Sequence, residues 1–176
     1  MENVYITKVI LEEVRNLTYA EIPLSTKEKK NLIITGKNGS GKTTVLNAVA
    51  SYLNAVFESN GIEYEKKYLK MDEGNLDYRK THGGTESEIR EIERRVYDRK
   101  DRLTLLKHGI EIELNCSGEH AHQLFQDGRV ILAYYKADRV FRTDIPRHVE
   151  KVQLQDQYSI DENPRDNLVK YLLDLK

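Results

Sequence analysis

Hydrophobic positions fall into distinct patterns along the 176 residues of the chain. Residues 4–14 are dense in Val, Ile and Leu, and residues 18–24 form a second such run, with Asn16 at the turn between them. This reads as an antiparallel β-hairpin. After the charged stretch Lys27-Glu28-Lys29-Lys30, the residues Asn31-Leu32-Ile33-Ile34-Thr35 are apolar and β-branched, as expected of a short buried strand. From Thr43 the period changes. Leu46, Val49, Ala50, Leu53, Val56 and Phe57 recur at helical spacing, while Asn47, Ser51, Asn54 and Glu58 fall opposite, and Gly61 supplies a stop signal near residue 60.

Between residues 58 and 107 acids and bases become dense and nearly balanced, broken by Gly83-Gly84. Within this charged insertion Ile89, Ile92, Val96, Leu103 and Leu106 fit a heptad seam, with Arg99 at the remaining seam position. The favoured reading is one amphipathic helix packed on the domain, its charges forming a solvated face; the alternative is a short projecting helical arm. Ile110-Glu111-Ile112-Glu113-Leu114 alternates as a half-exposed strand running towards Cys116. The following Gly-containing stretch with His120 and His122 reads as a loop, without the further ligands a metal site needs. Asp127-Gly128 marks a turn, and the apolar run 130–135 reads as a more buried strand. Pro146 opens a polar loop with an edge strand over 149–154. Asn163 as N-cap and Pro164 in the first helical position start a helix with the stripe Leu168, Val169, Leu172, Leu173 and Leu175. Lys176 falls within that helix, so the expectation is a lobe cut from a larger protein. Its core spans 1–57 and 108–160, with the insertion at 58–107 and the start of a truncated helix at 161–176.

The candidate chemistry lies between the third apolar run and the first helical pattern. Gly36-Lys37-Asn38-Gly39-Ser40-Gly41-Lys42-Thr43-Thr44 matches the phosphate-loop pattern G-x-x-x-x-G-K-[ST] at every fixed position. Its glycines let the backbone approach an anion, successive N–H groups point inward, and the helix N-terminus adds partial positive charge. Lys42 is the catalytic candidate, reaching the β- and γ-phosphates, and the Thr43 hydroxyl is the candidate Mg²⁺ ligand. A glycine turn that merely caps a helix would not need Lys and Thr together after a strand. The loop is read as a nucleotide phosphate site taking ATP with Mg²⁺.

Composition narrows the setting. With 28 Lys and Arg against 29 Asp and Glu, the formal charge is −1, so no global basic field advertises nucleic acid or acidic membrane. The single cysteine excludes an internal disulfide and suits a reducing cytoplasm. No stretch has the length and apolarity to span a bilayer, and the N-terminus lacks a signal pattern. Tyr135-Lys136-Ala137-Asp138 nearly matches a guanine-reading motif, but Tyr stands where Asn is needed and no D-x-x-G precedes it.

The hairpin, Asn16-Leu17, and the run from Ile33 through Thr44 to Val49, with its N-G-S-G-K-T-T-x-L-x-A texture, resemble the N-terminal part of the SMC/RecF-type ATPases. These form a branch of the ABC-ATPase superfamily, often grouped with AAA ATPases. The resemblance implies an α/β fold: a P-loop ATPase N-terminal lobe with a β-hairpin before the phosphate loop, a mixed sheet and a charged helical insertion. It also implies ATP sandwiched in a homodimer, a DNA or nuclease partner, and a role in DNA repair or bacterial defence. Where many relatives carry Asn-Phe-Arg this chain has Asn16-Leu17-Thr18, leaving Arg15 to substitute. The L-S-x-G signature, a strand ending Asp-Glu and the switch histidine are absent, Asp138 being followed by Arg139. Such a lobe would hold phosphates without turning them over. Two other readings stay open: a complete small P-loop kinase, and an interaction module with a vestigial phosphate loop.

Overall fold

The computed structural model describes residues 3–14, 17 and 19–135. The chain divides into two compact units, residues 1–131 and 132–176, and every element below belongs to the first. Strand β1 (Ile6–Leu11) pairs antiparallel with β2 (Ala20–Pro23) on one side and with β3 (Ile110–Leu114) on the other. Alternation along β1 turns Thr7, Val9 and Leu11 inward, as the period of two requires. Lys8, on the opposite face, bridges Glu21 and Glu113 across both neighbouring strands.

Helix α1 (Lys42–Phe57) buries Val45, Ala48, Tyr52, Leu53 and Val56. The Tyr52 hydroxyl donates to the Ile112 carbonyl of β3 at 3.4 Å, and burial pushes this phenol up to about 12. Helix α4 (Gly118–Gln126) closes the core: Phe125 stacks on Phe57 with ring centroids 5.8 Å apart, and His122 Nδ1 lies 2.6 Å from the Phe57 carbonyl. Apolar side chains buried to this degree each contribute on the order of 1.5–3 kcal/mol.

The charged insertion is a helical hairpin. Asn60, in the left-handed region at φ 52°, breaks the chain between α1 and α2 (Gly61–His82). Gly83, also left-handed, ends α2. Thr85 then opens α3 (Glu86–Lys107) with a capping box in which its hydroxyl accepts from Glu88 N–H. Each helix has 22 residues and runs about 33 Å. Ile92 and Val96 of α3 are buried, as the heptad seam predicts, and the base of the hairpin reaches α1. Arg99 is largely buried at its seam position. It donates to Glu65 at 3.0 Å and Asp72 at 2.6 Å, and its guanidinium lies 4.9 Å from the Tyr68 ring. The seam partner of α3 is therefore a second helix from the same insertion, a two-helix form intermediate between the packed helix and the projecting arm.

Several expectations are corrected. Residues 31–35 are not a strand: Ile33 is 81% exposed, and the run pairs with nothing among the described residues. Residues 130–135 likewise form no strand, with Ile131 82% exposed. The sheet of the described residues is consequently antiparallel throughout, where a mixed sheet was expected. The stretch holding His120 and His122 is helix α4, started by Ser117, whose hydroxyl accepts from His120 N–H. Arg15, Asn16, Thr18, Asp138, the edge strand at 149–154 and the helix at 161–176 lie outside the described residues.

Candidate functional site: the loop at the start of α1

The loop occupies residues 36–41 and delivers the chain directly into α1. Gly39 and Gly41 both have left-handed backbones, at φ 82° and 88°. Gly41 is also the N-cap of α1, so no side chain caps the helix and its first N–H groups are left to other acceptors. Any residue larger than glycine at 41 would be strained by its φ and would press on Leu17, whose Cδ1 lies 3.3 Å from where a Cβ would stand. Leu17 is held by an isolated bridge to Val14, three residues beyond β1. Leu17 thus buttresses the loop. Ser40 N–H donates to the Lys37 carbonyl at 3.2 Å, tightening the turn. A Cβ at Gly36 would come within 2.8 Å of Ser40 Oγ.

Lys42 folds back over this turn. Its Nζ donates to the carbonyls of Gly36 and Lys37, both at 2.8 Å, leaving one of its three N–H donors for a ligand. The ammonium is thereby fixed at the loop mouth. Thr43, one residue on, is exposed in the first turn. No Asp or Glu occurs from residue 29 to residue 57, so nothing in this part of the sequence opposes an anion here. Gly36, Lys37, Asn38, Gly39 and Ser40 are all exposed, and Thr44 is half-buried. The nine residues singled out by the motif thus form one largely exposed turn running into a helix N-terminus, a position suited to phosphate.

His120 and His122 do not join this site, and among the described residues no group of three His, Cys, Asp or Glu is placed to hold a metal ion. Among the described residues no helix is long and apolar enough to cross a membrane.

Loop, lysine and helix define a P-loop nucleotide-binding domain. A model of the AAA domain matches residues 8–171, nearly the whole chain, and the protein belongs to that family of nucleotide-binding ATPases. Members of the family generally bind ATP together with Mg²⁺. No curated protein and no solved structure matches the chain.

Proposed function

We propose that this chain binds Mg²⁺-ATP through residues 36–44 and supplies the phosphate-holding lobe of an SMC/RecF-like ATPase. The observation that carries the reading is the position of Lys42, tethered across the loop at the N-terminus of a helix whose first N–H groups have no side-chain cap. Backbone donors and the Lys42 ammonium would take the β- and γ-phosphates. The donor set suits Mg²⁺ as a shared ion: the exposed Thr43 hydroxyl offers one hard oxygen, and phosphate and water would complete its shell. Bound there, the ion would neutralise charge on the γ-phosphate. Lys42 would hold the phosphates, and the turn it is tethered to would limit their freedom.

Hydrolysis also needs a group that orients the attacking water and a second charge on the γ-phosphate. The motifs that carry these in the resembling ATPases are missing from this sequence, so the reading gives this chain the phosphate-holding step, with ATP sandwiched between two protomers. A cytoplasmic role in DNA repair or bacterial defence rests on that resemblance alone.

Titration calorimetry tests the binding step. Lys42→Ala should weaken Mg²⁺-ATP binding by about 1.5–3 kcal/mol, the range for hydrogen bonds to charged groups. Equal affinities for the two proteins would remove the basis of the reading. Phosphate release by the purified chain should stay far below the enzyme median of about 10 s⁻¹. A rate near that value, lost in Lys42→Ala, would show a self-sufficient enzyme and return the kinase reading.

A further inference from the structure

Helix α2 carries two stripes, and among the described residues only one of them is packed against another helix along its length. Ile62, Glu65, Leu69, Asp72 and Leu76 share the side turned to α3, where Ile62 and Glu65 are buried and Asp72 is paired with Arg95 and Arg99. About 110° round the helix, Tyr64, Tyr68, Met71, Asn75, Tyr78 and His82 repeat at intervals of four and three residues. Tyr64, Met71 and Tyr78 are 52%, 60% and 58% exposed. The rings are already ordered. Tyr64 lies against Tyr68 at 4.4 Å, Tyr78 stacks on His82 at 4.3 Å, and Arg99 holds Tyr68 from the α3 side. A second 3.5-residue repeat on a helix that has already used one fits knobs-into-holes packing against a further helix.

We propose that this stripe is a self-association surface, on which α2 of a second copy of the chain packs in parallel and in register. Charge selects the occupant. In a two-fold parallel pair each residue meets its own copy, so a face rich in either sign repels itself. The exposed remainder of the hairpin is crowded with Glu, Asp, Lys and Arg, whereas this stripe itself holds no carboxylate; Lys67 lies on one margin, and on the other Glu65, Asp72 and Arg79 are already paired with residues of α3. Register has a marker as well. With Tyr68, Asn75 and His82 in the a positions, Asn75 meets Asn75 of the second copy, a pairing that sets alignment at some cost in strength. Area sets the strength. At roughly 150–250 Å² per aromatic side chain, the three most exposed residues offer about 350 Å² per copy. With its margins the pair would bury on the order of 1,000 Å², the lower limit for a specific interface. The dimer is therefore weak and concentration-dependent, and it needs no nucleotide.

Sedimentation of the full chain without nucleotide should show a monomer–dimer equilibrium with a dissociation constant between about 1 µM and 1 mM. Met71→Glu and Tyr78→Glu should each weaken it at least about tenfold by placing like charges opposite one another. Tyr97→Glu, on the exposed face of α3, should leave it unchanged. These positions are exposed, so thermal midpoints should stay within a few degrees of the parent and separate lost association from lost fold. Because the chain has one cysteine, Asn75→Cys in a Cys116→Ser background should give a disulfide-linked dimer on oxidation. A chain that remains monomeric up to about 1 mM would overturn the proposal, as would a dimer indifferent to both glutamates. A dimer sensitive to them that fails to cross-link at 75 would overturn the parallel register. None of these results depends on whether residues 36–44 bind ATP.

Discussion

Arg99→Ala is expected to destabilise the protein by up to about 3–5 kcal/mol in a urea titration, because the change leaves the buried Glu65 carboxylate with only the 3.8 Å contact to the exposed Arg102. Glu65 has a side chain only 9% exposed, and its shortest ion pair is the 3.0 Å contact to Arg99. Asp72 would keep Arg95 at 3.3 Å but lose the closer partner at 2.6 Å. The sign is set by what remains after the cut, and the net value of the pair is a separate question. Replacing both members, as in Arg99→Leu with Glu65→Leu, should return stability to near the parent value, since apolar residues of similar volume often match a buried ion pair. A double-mutant cycle measures this directly. An unchanged urea midpoint for Arg99→Ala would mean the hairpin does not depend on its polar seam.

The same cluster predicts a pH dependence. Burial pushes the Asp72 carboxyl up, but the hydrogen bonds and charges of Arg99 and Arg95 outweigh it, and the net shift is below the usual 3.8. A carboxyl depressed in the folded state binds fewer protons folded than unfolded. Its contribution is therefore complete above about pH 4 and is lost as pH falls through the lower, folded value. Glu111 behaves alike: burial raises it, Lys107 and Lys66 lower it further, and the net is down. Below about pH 4 the parent should lose stability more steeply than Arg99→Ala, which retains only the Glu111 share and what Arg95 still gives Asp72.

The parts legible in the sequence were those specified by local rules. The phosphate loop needs glycines, a lysine and a hydroxyl at fixed spacing, which the sequence displays directly; the structure adds the tether of Lys42 and the left-handed backbones of Gly39 and Gly41. The first hairpin, α1 and β3 were visible because one face of each is apolar and the other polar, at periods of 2 or 3.6. Residues 31–35 and 130–135 show what such patterns omit. Apolar, β-branched composition marks a segment as fit for a sheet, but a strand exists only with a ladder partner, and none is present among the described residues. Helix α2 was hidden for a different reason. Its apolar residues are divided between two stripes, and Glu65 and Asp72 stand in the buried one, so no single amphipathic face emerges. Helix α4 is short and rich in His and Gln; the signal that could have found it was Ser117, an N-cap directly before a good first turn. Leu17, the buttress of the loop, acts across a turn and has no spacing signature at all.

Gly109→Val is expected to be about as damaging as the loss of Arg99, at about 2–6 kcal/mol. Gly109 joins α3 to β3 with φ +76°, and a Cβ there would stand 1.9 Å from the Glu13 carbonyl oxygen and 2.8 Å from its carbon. These are backbone atoms and cannot swing aside. They are close because the Gly109 carbonyl accepts from Glu12 N–H at 2.8 Å and Glu13 N–H at 3.1 Å, clamping the turn onto the end of β1. Valine would add a β-branched side chain in the left-handed region, about 1–3 kcal/mol, and an overpacked contact of about 1–3 kcal/mol more. The neighbouring residue supplies the control. His108 is also left-handed, at φ 53°, but it is exposed. His108→Gly removes strain without creating a clash, offset in part by the greater freedom of glycine in the unfolded chain, and should fall within about 0.5–1 kcal/mol of the parent. Two adjacent residues with similar backbone angles should thus respond very differently. Only at 109 does the turn touch β1, and β3 is the strand on which Tyr52 of α1 rests. If Gly109→Val melted like the parent, the clamp between turn and sheet would not be holding β3 in place.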